Sequence, residues 1–314
     1  MAALIPQWQE TTHSLSYRIG GLTLLSRTFP ALVLKNHFLE LPVNPDDPSP
    51  PAELLQGKVR AAIVLSHPVE ARLPRFHSVG RLLRYVPSQY THYHTDLTGT
   101  FEHYLLKFST KTRNTLKRKV RRFLDHGEGS GIREYKHPGE MEEFLALARK
   151  ISARTYQEKL FDAGIPTDAG FVSDLQDRAR RNAVRAYLLF LRREPVAYLC
   201  CPADGNVLLY SYLGYKPECA ELSPGTVLQY LAFDALFREQ RFTAFDFTQG
   251  QGEHKRFFST HEVLCADLLY FPNSLSSRFW VRLHAWIDDA SAFAGRSLER
   301  LGLKARIKRL IRRL

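Results

Sequence analysis

The sequence predicts an α+β protein in which a mixed, mostly antiparallel sheet is flanked by helices. Strand-like runs dominate residues 1–100, and three more follow in succession over residues 184–213. Between and after these runs, apolar residues recur at three- and four-residue steps, a spacing typical of amphipathic helices. The length of 314 residues suits one large domain or two ordinary ones.

The first hundred residues are expected to form a small β-rich lobe. Its candidate strands cover residues 17–25, 31–41 and 59–66. Five prolines between residues 42 and 51 predict a surface loop, because proline lacks the backbone donor that a strand interior needs.

Residues 103–124 are predicted to form one helix with a single apolar stripe. The stripe consists of Leu105, Phe108, Thr112, Leu116, Val120 and Phe123. Eight cations and no acid lie between Lys107 and Arg122, and seven cations and no acid lie between Arg300 and Leu314. These two segments hold the whole excess of positive charge in a chain of net charge +12. Like charges this close weaken a helix, so an anionic partner is favoured.

A compact series of helices and strands is predicted from residue 132 onward. It comprises a strand over 132–136, helices after Pro138 and over 171–180, strands over 184–191, 196–201 and 207–213, a helix from Ser223, and strands over 245–247 and 262–270. Turn-forming sequences join the three middle strands, which are therefore expected to pair antiparallel. A C-terminal amphipathic helix completes the chain. We expect domains over residues 1–100, 101–272 and 273–314.

Four cysteines show no metal-binding or disulfide spacing, which favours a reducing compartment. The N-terminus lacks the pattern of a secretory signal, and no apolar run is long enough to span a bilayer. We therefore expect a cytoplasmic protein. His92, His94 and Asp96 alternate on a predicted strand, but no fourth ligand is identifiable, and we expect no metal. Tyr90 and these histidines are expected to line an acceptor cleft.

Six short motifs carry a family resemblance when taken in order. They are Phe108-Ser109-Thr110-Lys111-Thr112-Arg113, Lys117-Arg118-Lys119, Glu194-Pro195-Val196-Ala197, Ser223-Pro224-Gly225-Thr226-Val227-Leu228, Asp246-Phe247-Thr248-Gln249-Gly250 and His254-Lys255-Arg256-Phe257. Their order and spacing over residues 100–270 resemble the GNAT acyltransferases, and within them the FemAB-like and cellulose-biosynthesis-type acetyltransferases of exopolysaccharide loci. The first hundred residues resemble a reduced GNAT-like lobe.

The resemblance implies acetyl-CoA or another acyl-CoA as co-substrate. It places the pantetheine arm between the strands over 207–213 and 244–247. Tyr212, on the first of these strands, is expected to contact it. The pyrophosphate is then expected at the start of the following helix, where backbone N–H groups and the positive dipole end attract anions. The residues expected to bind the cofactor there are Ser223, Pro224, Gly225 and Thr226.

The resemblance also suggests which residues take part in transfer. Asp246, at a strand end, is the candidate base or acceptor-orienting group, and Lys255 is the candidate cation near the reacting carbonyl. Candidate acceptor-binding residues are Arg113, Lys117, Tyr90 and Gln249. An ordinary helix start, a turn-capping carboxylate and a solvated surface lysine are the structural alternatives to these roles.

Three functions remain open from the sequence. The first is transfer of an acyl group from acyl-CoA to an amine or hydroxyl of an anionic or lipid-linked glycan precursor, with peripheral contact to the inner face of an anionic membrane. The second is an aminoacyl-tRNA-dependent Fem-like ligase, which explains the basic helices better. The third is a non-catalytic GNAT scaffold that binds an anionic partner.

Overall fold

Two compact units make up the structure. The computed structural model of the protein describes residues 7–19, 22–41, 50, 55, 59–154, 164–166, 168–250 and 252–300. One unit combines residues 1–91 with 263–314, and the other spans residues 92–262. Residues 263–314 thus group with the N-terminal segment, whereas the sequence division kept them apart; that division stays a prediction. Within the described residues, no helix has the length and apolarity needed to cross a bilayer.

The strands of the described residues are numbered in chain order. They are β1 (Trp8–Ile19), β2 (Leu22–Leu34), β3 (Ala61–Pro68), β4 (Phe76–Val79), β5 (Leu82–Tyr85), β6 (Gln89–Asp96), β7 (Gly131–Tyr135), β8 (Val184–Leu191), β9 (Glu194–Asp204), β10 (Val207–Leu209), β11 (Tyr212–Tyr215), β12 (Ala244–Asp246) and β13 (His261–Pro272). The helices are α1 (Phe101–Leu105), α2 (Thr110–Leu124), α3 (Met141–Ser152), α4 (Ala169–Arg180), α5 (Pro224–Glu239), α6 (Glu253–Phe258) and α7 (Leu275–Arg300). The predicted fold class, a mixed and mostly antiparallel sheet flanked by helices with a C-terminal helix, is confirmed.

The first unit is a sheet with one long helix. β1 pairs antiparallel with β2, β2 parallel with β3, and β3 antiparallel with β13, which also pairs with β5. α7 packs Val281, Ala285 and Ile287 into the core of this unit. The predicted strand over 17–25 is wrong, because β1 and β2 lie on either side of residues 20 and 21. Gly-Gly at those two positions is a hairpin signal that the sequence analysis overlooked.

The second unit carries the sheet β6-β12-β10-β9-β8-β7, with β11 paired to β9. Each pair is antiparallel except β10 with β12. The short β10 and the separate β11 replace the single strand predicted over 207–213. α3 and α4 pack against one core of this unit, and α1, α2 and α5 pack against another that is rich in phenylalanine.

The helix predicted over 103–124 is divided into α1 and α2. Hydrogen bonds between residues three apart follow α1, as the Phe108 amide donates to the Leu105 carbonyl at 3.1 Å. Ser109 then caps α2 by accepting from the Thr112 amide at 3.3 Å. Apolar spacing alone did not reveal the break, because Phe108 stays buried across it.

A buried ion pair fixes the C-terminal end of α5. The fully buried Arg185 on β8 donates from Nε to Glu239 Oε2 at 2.7 Å and from its η nitrogens to Val184 and Asn182. Burial alone would raise the pKa of Glu239, but the hydrogen bond and charge of Arg185 outweigh it and hold that pKa below its usual value. The pair therefore orients α5, which begins at Pro224.

Glu239→Gln should lower the free energy of unfolding by about 3 kcal/mol, because it leaves the Arg185 charge buried without its main partner. Urea unfolding at pH 7 measures this loss. Asp234→Asn is the matched control, since its partner Arg238 is exposed and such pairs contribute less than about 1 kcal/mol. In the wild type the contribution is present above the unfolded pKa and lost as pH falls through the lower folded one, so it should vanish in strong acid. Equal losses in both variants would contradict the assignment.

Candidate active site

Two neighbouring strands separate in the middle of the second unit. β10 and β12 pair in parallel, and the Tyr210 amide still donates to the Asp246 carbonyl at 2.8 Å. Beyond this point β11 pairs with β9, while the Phe247 amide donates to the Tyr93 carbonyl on the other side. The two strands therefore turn towards different neighbours. The gap predicted between them from the sequence opens after Tyr210.

A cavity of about 470 Å³ lies beside this separation. Its size falls within the usual range for small-molecule sites. Residues from the sheet side include Tyr210, Leu213, Gly214 and Tyr215, and those from the helix side include Ser223, Pro224, Gly225, Thr226, Gln229, His254 and Phe258. The four residues predicted at the helix start thus line the same cavity as β11, which pairs with β9 and not with β12.

The start of α5 is shaped to receive a ligand. Ser223 has a left-handed backbone with φ 52°, Pro224 follows as the first helical residue, and no side chain of the described residues caps the helix. The amide groups of its first turn have no intrahelical acceptor. A Cβ added to Gly225 would meet only Tyr215, at 3.8 Å. A larger side chain at Gly225 would occupy the cavity.

Gln229 supplies a polar group one turn farther along α5. It lines the cavity, it is 5% exposed, and its Nε2 is buried without a hydrogen-bond partner in the described part of the chain. An unmatched buried donor costs about 1–3 kcal/mol, so it is retained at a cost unless a ligand carbonyl accepts from it. The sequence analysis missed Gln229, because glutamine inside an apolar helix face carries no motif.

Gln229→Leu should raise the free energy of unfolding by about 1 kcal/mol and weaken binding of acyl-CoA about tenfold. Leucine removes the unmatched donor from the free protein, and it also removes the hydrogen bond that this donor would give to the ligand. Thermal melting and calorimetric titration of the same samples separate the two effects. Gln240→Leu is a control at the exposed end of α5, where the amide already donates to the Gly99 and Phe237 carbonyls. A melting temperature that falls in Gln229→Leu would contradict the interpretation.

Tyr212 is not among the residues that line the cavity. Its ring packs edge-on against Phe171 of α4, with ring centroids 5.1 Å apart. Side chains alternate across a strand, so Leu213 and Tyr215 face the cavity while Tyr212 faces the opposite side of the sheet. The switch from β10 to β11 sets this alternation, which the sequence did not reveal.

Asp246 is buried and already bonded. Its Oδ1 accepts from the Thr248 amide at 2.7 Å and lies 2.5 Å from His92 Nε2, a residue that is buried as well. Among the residues predicted as metal-ligand candidates, Asp96 instead accepts from the Thr98 amide. No group of three potential ligands is positioned for a metal in the described ranges. Asp246 is therefore held beside His92, and its role as a base or acceptor-orienting group stays a prediction.

His94 lies on the same face of β6 as His92. Its ring stacks on His261, with centroids 5.1 Å apart and planes 12° from parallel. Burial, and after it the adjacent His261, lower the pKa of His94 to about 4. His94 is therefore a neutral imidazole at pH 7. The sequence analysis did not anticipate the His94–His261 stack.

Lys255 ties α6 to the preceding loop. Its Nζ donates to the Gln249 carbonyl at 2.9 Å and to the Thr248 carbonyl at 3.3 Å. Burial lowers the pKa of Lys255, and Asp246 opposes this effect. Neither Lys255 nor the exposed Gln249 lines the cavity. Their catalytic and acceptor-binding roles stay predictions.

His254, the neighbour of Lys255, does reach the cavity. Its ring lies 5.8 Å from that of Tyr210. Burial lowers the pKa of His254, and the positive charge of Lys255 lowers it further. The imidazole is therefore neutral at pH 7 and able to accept a proton. His254 stands in a motif that the sequence analysis quoted, but Lys255 was chosen there instead.

A second cavity of about 480 Å³ meets the first one at α6. It is lined by Lys111, Thr112, Thr115, Leu116 and Lys119 of α2, by Thr226 of α5, and by Glu253, His254, Phe257 and Phe258. The two cavities share three residues: Thr226, His254 and Phe258. His254 therefore faces both.

The other predicted acceptor residues lie elsewhere. Arg113 donates to the Phe108 carbonyl at 2.9 Å and to Thr110, which joins α1 to α2. Lys117 is exposed and lines neither cavity. Tyr90 belongs to the first unit, where its hydroxyl contacts Ser66 and Asp267. None of the three meets the cavities described above.

Comparison with known families connects this geometry to a domain type. Residues 110–256 match the model of the family described as the acetyltransferase (GNAT) domain. These residues therefore form a GNAT-type domain within the chain. Its GNAT domain contains both cavities except Phe257 and Phe258. The resemblance inferred from the sequence motifs is therefore confirmed, and the family supports an acyltransferase that uses an acyl-CoA co-substrate.

Solved structures are similar to this one at low sequence identity. FemX is 13% identical, with a TM-score of 0.52 over 85% of this chain and 89% of its own. The C-terminal domain of a putative lysylphosphatidylglycerol synthetase from Agrobacterium fabrum is 11% identical, with a TM-score of 0.48 over 74% of this chain and 72% of its own. No curated protein matches the sequence significantly. The similarity to FemX shows a common fold only.

Proposed function

We propose that the protein transfers an acyl group from acyl-CoA, most simply acetyl-CoA, to an amine or hydroxyl of an anionic cell-envelope or exopolysaccharide precursor. One observation carries the proposal. The helix start at Ser223–Thr226 and the separated edge of β11 line the same cavity in a GNAT domain. The donor's amide-bearing arm would lie along β11, with its pyrophosphate at the first turn of α5.

The binding free energy of such a donor has several sources. Attraction between a phosphate and the helix dipole contributes about 0.3–1 kcal/mol, and up to about 2 kcal/mol when partly buried. Hydrogen bonds from the backbone amides of the first turn and from Gln229 must add the rest. The anionic acceptor would enter through the second cavity, where Lys111 and Lys119 lie on α2.

In the proposed reaction the acceptor nitrogen or oxygen attacks the thioester carbonyl. His254 takes the proton that the acceptor loses, because it lines both cavities and holds a neutral imidazole. The carbon–sulfur bond breaks as the tetrahedral intermediate collapses, and the coenzyme leaves as a thiolate. Cys200 and Cys201 are buried with raised pKa values, which does not suit them to a covalent intermediate.

A second function has one observation in its favour. The cations of α2 form no ion pair in the described part of the chain, and Lys117, Arg118, Arg121 and Arg122 are exposed on that helix. An aminoacyl-tRNA-dependent ligase with the fold of FemX would use such a face for phosphates. Its affinity for tRNA would fall steeply with salt.

A calorimetric titration and an activity assay, both on the full chain, test the proposal. We expect calorimetry to detect acetyl-CoA binding, and thiol release to be stimulated by nucleotide-diphosphate amino sugars. Lys111→Glu with Lys119→Glu should raise the KM of the sugar with little change in acetyl-CoA affinity. Lys117→Glu with Arg121→Glu, two exposed sites outside both cavities, is the matched control. Absence of acetyl-CoA binding together with tight, salt-sensitive tRNA binding would replace the first function by the second.

A further inference from the structure

The long helix α7 presents an apolar outer face in the first unit. Leu275, Phe279, Trp286 and Phe293 are 86%, 59%, 67% and 67% exposed. Steps of four and seven residues place these side chains on one side of a helix. They form a stripe about 27 Å long at 1.5 Å per residue. We call these four residues the α7 outer face.

The opposite side of α7 packs into the core of the first unit, which leaves the α7 outer face exposed. Val281, Ala285 and Ile287 are buried in the core of the unit, and His284 Nδ1 lies 2.7 Å from the Tyr85 hydroxyl. Single exposed apolar residues are ordinary, but a continuous stripe with three aromatic rings indicates a binding surface.

The charges beside the stripe favour an anionic partner. Arg278 and Arg282 are exposed on the same side of α7. The helix's two central acids are engaged elsewhere, since Asp289 pairs with Arg75 at 2.7 Å and Asp288 lies 3.2 Å from His284. Seven cations and no acid follow in residues 300–314, of which 301–314 lie outside the described residues.

We infer that the α7 outer face docks on the surface of an anionic lipid bilayer. Phenylalanine, tryptophan and leucine on one face of a helix enter the boundary between headgroups and acyl chains, while arginines reach the lipid phosphates. A second copy of the chain is a poorer partner. A two-fold interface through this face would bring Arg278 and Arg282 close to their own copies. The inference is independent of the proposed transfer reaction.

Sedimentation of the full chain with vesicles tests the inference. Binding to phosphatidylglycerol vesicles should be strong and binding to phosphatidylcholine vesicles weak. The triple variant Phe279→Ser, Trp286→Ser, Phe293→Ser should bind phosphatidylglycerol at least about tenfold more weakly. Leu106→Ser, which removes a 63% exposed apolar side chain of the other unit, should bind as the wild type does. Arg282→Glu should weaken binding without changing the apolar face.

Fluorescence locates the contact on the helix. The chain has three tryptophans, Trp8, Trp280 and Trp286. Brominated lipids should quench the wild type more than Trp286→Phe, whose binding is retained. Equal vesicle binding by the triple variant and the wild type would overturn the inference and leave the C-terminal cations as sufficient. A lipid-free dimer that the triple variant abolishes would overturn it too, and would assign the face to a second copy.

Discussion

Gly225→Trp should weaken binding of acetyl-CoA at least about a hundredfold, equivalent to about 2.7 kcal/mol. The indole would occupy the cavity between the first turn of α5 and the separated strand β11. It would also cover the amide groups to which the proposal assigns the pyrophosphate. Calorimetric titration of the full chain measures the change.

Gly225→Ala provides the matched control. The added methyl group meets only Tyr215 at 3.8 Å, an ordinary contact distance, and alanine favours a helix more than glycine does. Its affinity should therefore stay within about threefold of the wild type, and its melting temperature should not fall. If the tryptophan variant binds acetyl-CoA normally, the donor does not occupy this cavity.

His254→Ala should lower kcat about 10²–10⁴-fold while leaving the affinity for acetyl-CoA nearly unchanged. The imidazole faces both cavities, so its loss removes the proton acceptor from their junction. Steady-state kinetics and titration on the same samples separate the two quantities. Arg256→Ala, an exposed position on the same helix that lines neither cavity, is the control.

The pH profile distinguishes a base from a merely structural residue. Burial and the charge of Lys255 lower the pKa of His254, so its neutral form persists below pH 6.5 and activity should fall only as pH drops through that lowered value. Lys255→Met removes the nearby cation and should move this acidic limb to higher pH. If the acidic limb of the pH profile is unchanged in both His254→Ala and Lys255→Met, another group carries out the proton transfer.

The order of elements and the place of the Ser223–Thr226 loop at a helix start could be predicted from the sequence because both depend on local signals. The Ser223–Thr226 loop is indicated by a proline and a glycine before an apolar helix, and in the structure it lines the first cavity. The turn-forming residues between β8 and β9 likewise predicted that these strands pair antiparallel.

The side-chain constellation could not be predicted because it depends on register between distant segments. His92 and Asp246 meet across 154 residues only because β6 pairs with β12 with Asp246 opposite His94. The direction of Tyr212 depends on where β10 ends and β11 begins. His254 and Lys255 differ by one residue, and only the start of α6 at Glu253 decides which one reaches the cavity.

The separation of β10 and β12 also has a consequence for local stability. β11 is held by β9 on one side, so the amides on its other edge are available to solvent or to a ligand in that stretch. Hydrogen exchange should therefore be fast there in the free protein and slow once the donor is bound. The same mixture should leave exchange in β8 unchanged, because that strand is paired on both sides. Protection of a single strand edge would map the ligand onto the chain without a crystal.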